Sequence, residues 1–385
     1  MAIVFQSLNL GELVSIKTGK LNSNAADPKG KYPFFTCSRE TFRTNTFTFD
    51  TECVILAGNN ATADFPLKYF NGKFDAYQRT YIIKPLDEGV LSTKYLYYAL
   101  RLKLRELKSS ATGAATKFLT LKILKQIEIR IPPLQIQNKM AGILSAFDDS
   151  IDNSQERIGI LQSMIKAIYR EWFVNSGSTY HNSEFLAPFE SNGPQDMPLP
   201  STFGDLCELR KDHFRELEHS HLPLVDLARM PSKSLAPNSF GLPSELTTSR
   251  IVFTQGDSLF GSIRCYLHKV VAVNFSGVTN TSVLVLRPKF HIFRTLVSAI
   301  ASDDETIRWA EKHSTGLKMP VIKWTVFQTM PISIPSIAIV TAFERLAGPM
   351  LDQIGVLANQ IQTMEQTHEL LLPRLLTGLI DLERY

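Results

Sequence analysis

Two stretches of the chain carry apolar residues at alternating intervals of four and three. The first runs through Met140, Leu144, Phe147, Ile151, Ser154, Ile158, Leu161, Ile165, Ile168 and Trp172. The second runs through Phe343, Ala347, Met350, Ile354, Leu357, Ile361, Met364, His368, Leu371 and Leu375. A mean spacing near 3.5 residues puts one apolar seam on each helix, the pattern that paired helices need. Each segment predicts a rod of about 60 Å at 1.5 Å per residue. Ser154 and His368 are polar interruptions: they mark a frayed or solvated part of the seam, or they fix its register. Pro373 is expected to kink the second helix near its end.

Ahead of each long helix the pattern changes to short runs with strand character, such as Arg79–Ile83 and Thr281–Leu286. A shorter helix is predicted near residues 93–108, and its counterpart near 295–311. Each copy then shows a strand and an Ile-Pro stop, Ile131-Pro132 and Ile334-Pro335.

These parallels form an internal repeat. Adding 203 to a number in the first half takes Gly58 to Gly261, Lys84-Pro85 to Arg287-Pro288, and Thr112-Gly113 to Thr315-Gly316. Leu119, Leu121, Ile123, Leu124, Ile127 and Ile129 likewise fall on Ile322, Trp324, Val326, Phe327, Met330 and Ile332. Gly11-Glu12-Leu13 resembles Gly204-Asp205-Leu206 at an offset of 193, so the second copy has about ten extra residues in its early loops. A segment rich in Ser, Gly and Pro, residues 176–200, reads as a surface linker.

Composition is that of an ordinary globular protein, with 44% hydrophobic and 20% charged residues over 385 positions. The net charge of +4 is unevenly spread. Residues 1–133 hold 19 Lys and Arg against 11 Asp and Glu, basic enough to favour a polyanion, whereas residues 190–336 hold 15 against 14. Cys37, Cys53, Cys207 and Cys265 are far apart and fit reduced thiols in a cytoplasm. Residues 1–7 lack the features of a signal peptide, and no apolar run is long enough to span a bilayer.

Catalytic motifs are missing. There is no Gly-x-Gly and no Walker A loop. Pro132-Pro133 is followed by Leu134, unlike the Asn-Pro-Pro-Tyr loop of amino-methyltransferases. Gly256-Asp257-Ser258-Leu259-Phe260 departs from a nucleophile elbow at its last position. Asp87 with Glu106-Leu107-Lys108 imitates a nuclease set, but Glu106 falls on a predicted helix. His219-Ser220-His221 lacks a third metal ligand and reads as a polar loop. Neither a catalytic residue nor a metal site is expected.

Several stretches resemble the specificity subunits of Type I restriction–modification enzymes. They are Ile131–Gln137 continuing to Ile143–Ile151, Tyr169–Val174, the terminal Leu371–Gly378, and Gly72–Tyr81, which is similar to the core of a target recognition domain. The stretch Ile334–Val340 departs from the family pattern, lacking the second Pro-Leu and the Gln-rich run.

The resemblance implies an α+β chain: two mixed α/β target recognition domains, each followed by a long helix, the helices pairing as an antiparallel coiled coil. The boundaries read as 1–133 and 201–335 for the domains, 134–175 and 336–378 for the helices, and 176–200 for the linker. The implied protein is non-catalytic and cytoplasmic. Each domain reads one half of a bipartite site in double-stranded DNA. The helices set the spacer and dock two methyltransferase subunits. S-adenosylmethionine, ATP and Mg are expected on the methyltransferase and restriction/translocase subunits, not on this chain. The alternative is a protein-binding scaffold with two related domains on a coiled coil.

Helix pairing is assigned to Leu144, Phe147, Ile151, Ile158, Leu161, Ile165 and Ile168 against Met350, Ile354, Leu357, Ile361, Met364 and Leu371. For DNA, a cationic helix face of Lys94, Arg101, Arg105 and Lys108 competes with a merely solvated one, because the second copy has Asp303-Asp304-Glu305 there. Polar loops at matched positions are the better candidates. In the first copy these are Asn59, Asn60, Tyr77, Gln78, Arg79, Thr112 and Lys117. In the second they are Ser262, Arg264, Asn280, Thr281, Ser282, Thr315 and Lys318. Arg, Asn and Gln suit base edges, while Lys and Thr suit phosphates.

Overall fold

The computed structural model describes residues 4–59, 65–110, 119–175, 199–334, 336–380 and 382. The chain forms two compact units: residues 1–149 with 365–385, and residues 150–364.

The first unit is built on a six-stranded sheet in the order Val14–Thr18, Thr80–Pro85, Phe49–Ala57, Leu67–Ala76, Tyr32–Phe35, Thr41–Thr44. All neighbours are antiparallel except Tyr32–Phe35 against Leu67–Ala76. The central strand alternates in the manner of a sheet covered on both faces. Val54 and Leu56 join Tyr95, Leu96 and Leu100 of helix Thr93–Ser110 in one cluster, while Cys53 and Ile55 join Phe35 and Phe74 in another. Gln6–Asn9 pairs with Glu128–Ile131, and Pro132 then ends the strand.

The second unit holds a four-stranded sheet, Val270–Ala272, Ser258–Gly261, Val283–Pro288, Cys207–Arg210, and a three-stranded one, Asp212–His213, Arg250–Phe253, Gly277–Asn280. The strand expected at Thr281–Leu286 starts at Val283, because Thr281 and Ser282 form the turn before it. The single helix expected at 295–311 is two, Arg294–Ala301 and Asp304–Lys312. The break is an N-cap: the Asp303 carboxylate accepts the Glu305 amide at 2.9 Å and starts a new helix.

The long helices are Leu134–Tyr169, continued by a π-helical turn Arg170–Val174, and Ile337–Leu376. They pair as an antiparallel coiled coil. In the first unit Asp148 lies beside His368, while Lys139 further back donates to the Leu382 carbonyl, so the two strands of numbering run in opposite directions. Met140 and Leu144 are buried with Leu372, Leu375 and Leu376, and Leu371 packs on their edge. Phe147 meets the His368 ring at 6.4 Å.

In the second unit Ile158 and Ile165 are buried with Ile354, Leu357 and Ile361. Ile151, Leu161, Ile168, Met350 and Met364 are half-buried against that cluster. The apolar face of the second helix is wider than one seam. Leu351 and Ala358 are buried as well, because the unit's own globular part covers that side. Arg294 there reaches Glu344 at 3.0 Å and also pairs with Asp352, about two turns further along the helix. Pro373 lies in the last turn, and the helix ends before Gly378, whose φ of +77° suits glycine.

Neither polar interruption is solvated. The buried Ser154 hydroxyl donates to the Ser150 carbonyl at 2.8 Å, which satisfies it within its own helix. His368 is 1% exposed, and neither ring nitrogen has a hydrogen-bond partner in the structure. The described residues contain no helix long and apolar enough to cross a membrane.

Burial and then the Arg101 charge hold the His368 imidazole below its ordinary pKa of 6.5; Arg105 acts the same way, and Asp148 and Glu369 oppose. Below pH 6.5 the unfolded chain therefore takes up a proton that the fold resists, so this site's contribution is full above 6.5 and declines as pH falls. His368→Leu should thus gain on the wild type as pH falls from about 7 to about 5. It should also relieve an unsatisfied buried group, whose cost is about 1–3 kcal/mol. Urea midpoints at several pH values check this, and parallel curves for the two proteins would refute it.

Candidate nucleic-acid interface

In the first unit the turn 77–79, Gly58 and Leu119 meet at one end of the sheet. The turn Tyr77-Gln78-Arg79 joins strands Leu67–Ala76 and Thr80–Pro85. It is held by backbone hydrogen bonds on three sides. Tyr77 N–H donates to Phe35 O at 2.8 Å, Gln78 N–H to Leu21 O at 3.0 Å, and Gly58 N–H to Arg79 O at 2.9 Å. Leu119 N–H donates in turn to Gly58 O at 3.0 Å, and the Tyr81 hydroxyl to Leu119 O at 2.9 Å. Gln78 and Arg79 are exposed; Tyr77 and Asn59 are half-buried. Asn60, Thr112 and Lys117 lie outside the described residues.

The second unit repeats this framework. Ser262 N–H donates to Ser282 O at 3.0 Å, and Ile322 N–H to Ser262 O at 3.0 Å. Arg79 and Leu119 map onto Ser282 and Ile322 at the offset of 203, with a one-residue slip from Gly58 to Ser262. Arg264 N–H donates to Pro320 O at 2.8 Å, and Thr315 and Val321 exchange two backbone bonds of 3.0 and 2.9 Å. Arg264, Thr281, Thr315 and Lys318 are exposed on these loops. Arg264 holds a left-handed backbone, φ 52°, unusual outside glycine.

Two of the selected residues act beneath this surface. The Ser262 hydroxyl is buried and donates to Ser282 O at 2.8 Å, so it supports the loop from inside. Asn280 Oδ1 accepts the Ser282 amide at 3.0 Å and closes the turn.

Three residues of the cationic helix face have partners, and the Lys108 side chain lies outside what is described. Arg101 lies 3.6 Å from Asp148, Arg105 is ion-paired with Glu369, and Lys94 sits over the Tyr69 ring at 5.7 Å. The acidic trio of the second unit has its own structural task. Asp303 takes Arg170 at 3.0 Å, and Asp304 takes Lys166 at 2.6 Å, which pins the first long helix to its domain. The Lys166 hydrogen bond, with the Lys166, Lys233 and His268 charges, holds the Asp304 carboxyl below its ordinary range.

Sequence reasoning missed the segment carrying Leu21, although Leu224 stands 203 residues later. Both make a parallel bridge to the neighbouring strand, Leu21 with Tyr77 and Leu224 with Val278. Among the described residues no group of three or more His, Cys, Asp or Glu could hold a metal ion. His219, expected in a polar loop, ends the short helix Glu216–His219 instead, and its ring accepts the Arg215 amide at 2.9 Å. All four cysteines are free thiols.

Two related sheet domains thus present matched loops, and each is joined to one of the paired long helices. Residues 4–162 match the family model of the Type I restriction modification DNA specificity domain. The chain is 26% identical over 361 residues to the EcoDI specificity subunit of Escherichia coli, covering 87% of this chain and 78% of that protein. It is 26% identical over 320 residues to the MjaIX specificity subunit of Methanocaldococcus jannaschii, covering 77% and 71%. Its fold matches the crystal structure of the Type I restriction–modification S subunit from M. genitalium with a TM-score of 0.65 at 16% identity, over 97% and 96% of the two chains. The chain is thus similar in sequence to Type I restriction-enzyme specificity subunits along most of its length.

Gly58 sits where a Cβ would meet Arg79 O and the Tyr81 ring, each at 2.8 Å. Gly58→Ala should displace the turn 77–79 and destabilise the first unit by about 1–3 kcal/mol, as overpacking does. Urea denaturation followed by tryptophan-independent far-ultraviolet circular dichroism reads this, and an unchanged midpoint would show that the approach is not tight.

Proposed function

We propose that the chain is the DNA-recognition subunit of a Type I restriction–modification complex, with each unit's loop cluster reading one half of a bipartite, asymmetric site. The observation that carries this reading is a shared backbone framework displaying different side chains. Gln78 and Arg79 stand on it in the first unit, and Arg264, Thr281 and Lys318 in the second. Two readers of one design with unlike contact residues recognise two unlike sequences.

The paired helices set the spacer between half-sites and dock two methyltransferase subunits. S-adenosylmethionine, ATP and Mg belong to those and the restriction/translocase subunits. A scaffold that binds only proteins has the same architecture, but its binding would not show the steep salt dependence of phosphate contacts.

Mapping of methylated bases in cells tests the division of labour. Replacing residues 1–133 by the matching region of another specificity subunit should change one half-site and leave the other intact. Change in both half-sites, or in neither, would refute the two-reader reading.

The ruler is tested separately. Seven residues inserted after Asn153 preserve the seam and lengthen the helix by about 10 Å, roughly three base pairs. The preferred spacer should lengthen with both half-sites unchanged. Two inserted residues should instead rotate the seam by about 200° and damage assembly. An unchanged spacer after the seven-residue insertion would place the ruler outside the helices.

A further inference from the structure

The loop between Thr315 and Val321 displays side chains that neither folding nor the polar loop contacts explain. The two backbone hydrogen bonds between Thr315 and Val321 close it into a tight tip of Gly316, Leu317, Lys318, Met319 and Pro320. Gly316 turns the chain with φ +106°, a conformation that favours glycine. Pro320 O accepts the Arg264 amide at 2.8 Å, and Ile263 bridges to Val321, so the tip is braced from the side.

On this braced tip Leu317 is fully exposed and Met319 is 52% exposed. Tyr266, 51% exposed, stands on the adjoining turn. Single exposed apolar residues are common on protein surfaces. Two long ones at the end of one braced tip point to a partner that covers them.

Charge indicates what the partner is. Lys318 stands between the two apolar residues in sequence, Arg264 is hydrogen-bonded to the tip through Pro320 O, and Lys312 and Lys323 flank the loop in sequence, all four exposed. Within residues 311–323 the one acidic residue is Glu311. A local cationic excess favours a polyanionic partner. The same brace holds the loops that carry Arg264 and Ser282, the reading surface of the second unit.

Resting on the function proposed above, we propose that Leu317 and Met319 form an apolar wedge that enters between base pairs of the second half-site while Lys318 neutralises a neighbouring phosphate. Proteins that insert Leu or Met between base steps unstack them and bend the duplex. Sequence then counts through the ease of unstacking, highest at pyrimidine–purine steps. The second unit would thus read part of its half-site by deformability, which suits a domain that is nearly neutral overall.

The test uses the chain in complex with its methyltransferase and a duplex carrying the mapped site, with 2-aminopurine at successive steps of the second half-site other than the methylated adenine, which the methyltransferase itself unstacks. Binding of the wild type should raise fluorescence at one step. Leu317→Ala with Met319→Ala should lose that rise at saturating protein, and Leu317→Phe with Met319 retained should keep it. Lys318→Ala should retain the rise while weakening binding and reducing the salt slope by about 1.

Because both apolar side chains are exposed, the double variant should keep the urea midpoint of the wild type, which separates loss of the wedge from loss of the fold. A rise that survives in the double variant, or a wild type that binds its site with no rise, overturns the wedge and leaves the reading function standing. A double variant that no longer co-purifies with the methyltransferase assigns the tip to a protein contact and overturns it too. A wild-type complex that selects no bipartite site defeats the functional reading itself, and the wedge with it.

Discussion

A helix with one apolar stripe and water all around it has little reason to hold together, since most helical stability in proteins comes from the packing of that stripe. Burying the two stripes against each other is the constraint on which the rest of this chain depends. Within each unit the pairing does more than cover itself. In the second unit Ile354, Leu357 and Ile361 face Ile158 and Ile165, while Leu351 and Ala358 on the flank take the domain. Arg294 fastens that flank by bridging Glu344 and Asp352. In the first unit the helix Thr93–Ser110 is tied to the pair through Tyr98, whose hydroxyl donates to Asp148 at 2.7 Å. The loop-bearing sheets are therefore mounted on the pair through side chains with defined partners.

The parts of this design most legible in the sequence were those governed by periodicity and by repetition. The intervals of four and three located both long helices to within a few residues, because a seam leaves its spacing in the chain. The repeat offset anticipated that Arg79 and Ser282, or Leu119 and Ile322, play matching parts. Local interruptions were less legible. Nothing in the apolar pattern of 295–311 announced the break at Asp303, which depends on one side chain accepting one amide. The pattern alone leaves His368 either at a solvated part of the seam or as a register-fixing residue, and Tyr98, Phe147 and the Asp148 carboxylate enclose it.

The charged residues show the same limit. Asp303-Asp304-Glu305 argued against a phosphate-binding face when only their sign was known. Their partners, Arg170 and Lys166 on the long helix, lie more than 130 positions away and leave no local trace. Arg101 and Arg105 likewise read as a free cationic stripe until Asp148 and Glu369 came beside them. Loop residues were the least legible, since an exposed Gln78 and a buried Ser262 carry the same polar signature in a sequence.

One feature of the loop framework bears on how such a chain evolves. Nearly every bond that positions the exposed residues runs between main-chain atoms, from Gly58 to Arg79, from Gln78 to Leu21, from Arg264 to Pro320. A substitution at Gln78, Arg79 or Lys318 leaves those atoms in place. Mutation can therefore explore new side chains at the surface with small risk to folding, while glycines such as Gly58 stay constrained. Lineages descended from this chain should diversify fastest at the tips of the loops and slowest one residue beneath them, so that a change of preference requires few genetic steps.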